Sequence, residues 1–170
     1  MSQVGDFFPE TNPYSSYIPY SQCLHIQDQK ASGTAGGTAV VTSWNIRVLN
    51  TVVMNTLAGN SSPLSGNIIT LLAGTYDFLF DAPLKAVGLC QNRIWNITDA
   101  VAAVTAPGFS TSTATVDCFS VPGSGRITIA STKTFRLESY CTSARATDGL
   151  GGAVSLGTEI YGNVFIWRVA

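Results

Sequence analysis

The chain is 170 residues long, 45% hydrophobic and 11% charged, with a formal net charge of −1. That length suits one compact domain burying roughly 70% of the surface its unfolded chain exposes. The charge content is less than half of the about 25% usual in soluble domains, so much of the surface is expected to meet protein rather than water. The nine Lys and Arg residues are scattered from Lys30 to Arg168, which speaks against nucleic-acid binding through clustered phosphate contacts. No apolar run approaches the roughly 18–20 residues of a membrane span, so no membrane partner is expected.

Residues 1–21 form a distinct opening segment, carrying Phe7, Phe8, Tyr14, Tyr17 and Tyr20 between Pro9, Pro13 and Pro19. The prolines forbid a regular helix or a central strand, and the aromatic surface exceeds what a solvated spacer needs. An extended arm laid against a neighbouring subunit is the expectation. The segment lacks the basic start and apolar centre of a signal peptide, so the chain is expected to begin near Met1.

From Gln22 to Ala170 the pattern is that of one all-β sandwich domain, with short runs rich in Val, Ile, Thr, Phe and Tyr broken by Gly, Pro, Ser and Asn. Strands are predicted over Cys23–Lys30, Ala39–Thr42, Asn45–Thr56, Ile68–Leu72, Thr75–Asp81, Lys85–Thr98, Thr113–Val121, Arg126–Ala130, Lys133–Cys141 and Glu159–Val169. Turn signals rich in Gly separate them, at 33–37, 58–67, 121–125 and 147–152. No long helix is expected.

Two strands carry more information. In Thr75–Asp81 the aromatics Tyr76, Phe78 and Phe80 share one face and Asp77 and Asp81 the other, as in a half-buried strand. In the last strand Ile160, Gly162, Val164 and Ile166 oppose Tyr161, Asn163, Phe165, Trp167 and Val169, so neither face is plainly wet. A two-layer sandwich hides one face of each sheet. The other face then needs a further subunit, or a covering loop from the same chain. Low charge favours the oligomer, since permanent interfaces commonly bury about 2,000–5,000 Å² and resemble a cut core. Aromatic anchors are expected at the seam, with Tyr161, Phe165, Trp167, Tyr76 and Phe78 as candidates.

No catalytic, metal or cofactor site emerges from the residues. Cys23, Cys90, Cys118 and Cys141 are widely spaced without a Cys-x-x-Cys pair, and His25 is the only histidine, which is no zinc pattern. Reduced cysteines acting as small apolar residues are expected, with a disulfide left open. His25 has no marked nucleophile beside it, and no GxSxG, HExxH or P-loop sequence occurs. Acids such as Asp77, Asp81, Asp117, Glu138 and Glu159 fit strand ends and solvent faces better than a glycosidase pair. Asp148 in a Gly-rich loop is more simply a turn residue than a cation ligand, and the sequons at Asn60 and Asn96 are read as chance matches. The chain is therefore expected not to be an enzyme.

Trp44, Arg47, Leu49, Asn50 and Thr51 open a motif series, followed by Gly74-Thr75-Tyr76 leading an aromatic-alternating strand. Glu159, Tyr161, Ile166 and Trp167 lie in the closing strand. In this order and spacing, over about residues 22–170, the sequence resembles the tumour necrosis factor-like jelly roll, also called the complement first-component globular-head fold. The resemblance is to the variant found in bacteriophage virion proteins. It implies a ten-stranded, two-sheet jelly roll assembled as a homotrimer, with the last strand near the three-fold axis. It further implies a virion protein made in the host cytoplasm. The expected role is a capsid decoration or cement protein on the head exterior, its arm on the major capsid protein or neighbouring virion subunits. The alternative is a receptor-binding tail-fibre or spike tip that adheres to a bacterial surface polymer.

Overall fold

A computed structural model describes residues 22–114 and 117–169. These form fourteen strands and no helix. In chain order they are β1 (Cys23–Lys30), β2 (Trp44–Ile46), β3 (Thr51–Asn55), β4 (Leu64–Ser65), β5 (Ile68–Leu71), β6 (Gly74–Asp81) and β7 (Leu84–Lys85). Then follow β8 (Gly88–Asn96), β9 (Val101–Thr105), β10 (Phe109–Thr111), β11 (Cys118–Phe119), β12 (Gly123–Ile129), β13 (Lys133–Cys141) and β14 (Glu159–Arg168). A five-stranded sheet runs β12-β6-β14-β1-β3, and a seven-stranded sheet runs β10-β8-β13-β5-β4 with β2 on β13 and β9 on β8. β7 and β11 make a separate short pair. Every pairing is antiparallel.

Alternation builds the core. One sheet contributes Leu24 and Ile26 from β1, Tyr76, Phe78 and Phe80 from β6, and Val164 and Ile166 from β14. The other contributes Ile69 and Leu71 from β5, Ile94 from β8, and Phe135 and Leu137 from β13. Phe78 and Phe135 meet across the gap with ring centroids 5.9 Å apart, tilted by 56°, an arrangement favourable for aromatic pairs. At one end a smaller cluster of Ala39, Leu84, Val87, Cys90, Cys141 and Leu150 continues the interior.

The first strand and Lys133–Cys141 coincide with expectation, whereas other stretches divide. Asn45–Thr56 splits because the chain crosses between sheets there. The Arg47 N–H donates to the Leu137 carbonyl and the Asn50 N–H to that of Gln27. The Arg47 side chain is enclosed in the crossing, where Nη2 donates to the carbonyls of Leu150 at 2.7 Å and Tyr161 at 2.5 Å. Burial pulls this guanidinium down to about 10, which still leaves it cationic at neutral pH.

Lys85–Thr98 breaks between β7 and β8, where Ala86 has a φ of 52°, a left-handed backbone outside the extended region of a strand. Ala39–Thr42 keeps one bridge, Ala39 to Arg145, and among the described residues of Thr113–Val121 only Cys118–Phe119, β11, lies in a strand. β12 begins at Gly123, three residues before its expected start. Gly123 lies so close to the Phe80 ring that a Cβ there would sit 2.2 Å from it, so this glycine serves packing rather than a turn. The sequence offered no alternation for β4, β9 and β10, and the count therefore exceeds ten strands.

Candidate subunit interface

Registers place the outward side chains of the five-stranded sheet in rows. One row is Arg126, Asp77, Trp167 and Cys23; the next is Ser124, Leu79, Phe165, His25 and Met54; a third is Asp81, Asn163, Gln27 and Thr51. The middle row carries no carboxylate, lysine or arginine. Its two rings, His25 and Phe165, stack with centroids 3.9 Å apart at 15°, and Phe165 also stacks on Trp167 of the adjoining row, 5.6 Å away at 6°. Cross-strand neighbours on one face are close enough for such contacts.

Polar groups beside this stack are paired with one another. His25 Nε2 and Gln27 Nε2 both donate to Asn163 Oδ1, at 2.7 and 3.2 Å, and Gln29 Nε2 donates to Gln27 Oε1 at 2.7 Å. Along one margin Arg126 grips Asp77 through two bonds of 2.6 and 2.7 Å. That hydrogen bonding holds the Asp77 carboxyl below the usual carboxylate range. Burial pushes Asp81 the other way, against the bond donated by the Ala82 N–H and the charge of Arg47, and the Ser120 hydroxyl also donates to Asp81. Shallow recesses of about 800 and 220 Å³ flank Leu79, the first reaching Trp167 and Arg126, the second reaching Phe165 and Pro122. β3, the last strand of this sheet among the described residues, adds Val52, Val53 and Met54, each 41–48% exposed.

Of the residues expected at a seam, Phe165 and Trp167 lie here, half-buried and side by side. Tyr76 and Phe78 do not. Both point between the sheets, 2% exposed, and the Tyr76 hydroxyl donates to the Leu72 carbonyl at 3.0 Å. Tyr161 is also buried, because the register slips where Asp28 and Gln29 face β14 and its ring turns against Gly151. Its hydroxyl donates to the Thr34 carbonyl at 2.9 Å. The arm residues Phe7, Phe8, Tyr14, Tyr17 and Tyr20 lie outside the described residues. Sequence reasoning did not nominate His25, Leu79 or Met54 for the seam. The alternation of β6 contains a signal for Leu79, since it shares a face with Asp77 and Asp81.

The opposite outer face is built differently. Glu138 on β13 is completely buried, accepting from Arg93 Nε at 2.7 Å and Arg136 Nε at 2.6 Å. The Arg93 guanidinium lies between the rings of Trp44 and Trp95, 3.7 and 4.0 Å from their centroids. Among the described residues no group of three or more His, Cys, Asp or Glu is placed to hold a metal ion.

No family model and no curated protein sequence matches the chain. Its structure is similar to the globular domain of a zebrafish complement 1qA protein, with a TM-score of 0.53 and 12% identity over 88% of this chain and 98% of that one. It is also similar to murine APRIL in a crystal structure at pH 8.0, with a TM-score of 0.52 and 11% identity over 86% and 98% of the two chains. At such identity the likeness carries the fold and not the activity. The chain has the two-sheet jelly-roll fold of the tumour necrosis factor and complement 1q heads.

Proposed function

We propose that the protein is a homotrimeric decoration, or cement, subunit on the exterior of a phage head, held to the major capsid protein or neighbouring virion subunits by residues 1–21. The observation that carries this reading is the outer face of the five-stranded sheet. Stacked His25, Phe165 and Trp167, with Leu79 and Met54 beside them, form an apolar row on a fold whose family implies three-fold assembly. Covering that row with the same sheet of a second copy removes apolar area from water at about 25 cal/mol per Å², less the cost of ordering the partners. Three arms on one trimer then act together at high effective concentration, so modest single attachments suffice.

Counting copies per purified particle tests the role. Hundreds of copies fit a shell component, whereas a handful assigns the chain to a tail tip that binds a surface polymer. Removing residues 1–21 is expected to abolish incorporation into particles while leaving a soluble trimer. Unchanged incorporation of the shortened chain overturns anchoring by the arm.

A further inference from the structure

Among the described residues, the pairing of β8 with β13 sets two thiols directly opposite each other, Cys90 against Cys141. Antiparallel pairs are of two kinds, and the flanking bonds identify this one. The Thr142 N–H donates to the Leu89 carbonyl at 3.1 Å, which makes the neighbouring couple, Thr142 and Leu89, the hydrogen-bonded site. Cys141 and Cys90 then form a non-hydrogen-bonded pair, in which Cα atoms are about 4.5 Å apart and side chains approach most closely. A disulfide needs a Cα separation of about 4.4–6.8 Å.

Both side chains point to the same side. β13 turns Phe135, Leu137, Ser139 and Cys141 inward, each 0% exposed, and β8 turns Cys90, Asn92, Ile94 and Asn96 inward. The next inward couple shows that side chains across these strands touch, since Ser139 Oγ donates to Asn92 Oδ1 at 2.6 Å. Both cysteines belong to the end cluster with Ala39, Leu84, Val87 and Leu150. In the reduced state each thiol donates to a different backbone carbonyl, Cys90 to Gly88 at 3.1 Å and Cys141 to Val40 at 3.4 Å.

We propose that Cys90 and Cys141 close an intramolecular disulfide across β8 and β13 when the folding chain meets a small disulfide oxidant such as glutathione disulfide. The Cys90 thiolate, its proton lost to solvent, attacks one glutathione sulfur. The oxidant's S–S bond breaks and one glutathione thiolate leaves. The Cys141 thiolate then attacks the Cys90 sulfur of the mixed disulfide and expels the second glutathione, so two protein thiols are oxidised while one glutathione disulfide is reduced to two thiols. Timing matters, because burial pushes the native Cys90 thiol up to about 11 and raises Cys141 as well. Closure therefore belongs to the folding chain, before the thiols are enclosed. The bond ties the two central strands of the seven-stranded sheet and makes stability depend on the redox state of the surroundings.

The test refolds the full chain in parallel, in a mixture of oxidised and reduced glutathione and in dithiothreitol. Free thiols are alkylated and the peptides mapped without reduction. The expected result after oxidising refolding is a Cys90–Cys141 linked peptide with Cys23 and Cys118 alkylated. It comes with a melting temperature roughly 5–10 °C above that of the reduced protein. A C23S/C118S double variant should keep both the link and the rise. Finding Cys90 and Cys141 alkylated, or either joined to another cysteine, overturns the proposal, as does a link without a rise in melting temperature.

Discussion

The two outer faces of the sandwich satisfy their residues in opposite ways. On the seven-stranded sheet a charged trio, Arg93, Glu138 and Arg136, is completed within the chain and roofed by Trp44 and Trp95. On the five-stranded sheet the rings of His25, Phe165 and Trp167 stack on one another at the surface, and Leu79 beside them is 38% exposed. A buried carboxylate left without its partners is costly, and both partners of Glu138 come from this chain. An apolar row can wait for a second copy, and its energy is then released on assembly instead of folding.

If that division is right, substitutions on the two faces should fail in different assays. The largest effect is expected from Phe165→Glu, which puts a charge in the middle of the apolar row. In the proposed trimer it should cause dissociation to monomer by light scattering while the far-ultraviolet circular dichroism of the sandwich stays unchanged. A persistent trimer would remove this face from the interface. Glu138→Ala should do the reverse. Two mostly covered guanidiniums lose their carboxylate, at a cost of about 3–5 kcal/mol in denaturant unfolding, with the surviving folded protein still trimeric.

Smaller effects come from pairs at the margins. Asp148 is held down to about 2 by hydrogen bonds from Arg145 and Lys85. Because its folded value lies below the ordinary carboxylate value, the stability it adds is present above about pH 4. That stability is lost as pH falls toward 2, and Asp148→Asn should flatten this part of the acid-unfolding curve. Arg126→Ala breaks the bidentate pair with Asp77, but the Arg126 side chain is 63% exposed, so denaturation of the monomer should shift by no more than about 1 kcal/mol. A larger loss in trimer dissociation than in monomer unfolding would extend the interface to this margin.

Much of the sandwich was legible because strands that alternate cleanly declare themselves. β1 and β13 ended where the polar and Gly-rich stretches said they would. Alternation groups residues by face but does not say which face is the core. That is why Phe165 and Trp167 lie on the outer face while Tyr76 and Phe78 fill the interior. Tyr161 was displaced by a local slip in register, which shifts a side chain from one face to the other and leaves no mark in composition. The row of His25, Leu79 and Met54 comes from three different strands, and only pairing register brings them together. The break at 86–88 depended on positive φ at Ala86, a residue that gives no warning of it.

The crossing of the chain between Ile46 and Thr51 means that neither sheet can open by itself. β2 is ladder to β13 and β3 is ladder to β1, and the enclosed Arg47 holds both the Leu150 loop and β14 by their carbonyls. Peeling away either layer drags this segment out of the other. Amide protons on the two central ladders should consequently exchange with deuterium together, in one whole-molecule event, instead of in two separate local openings.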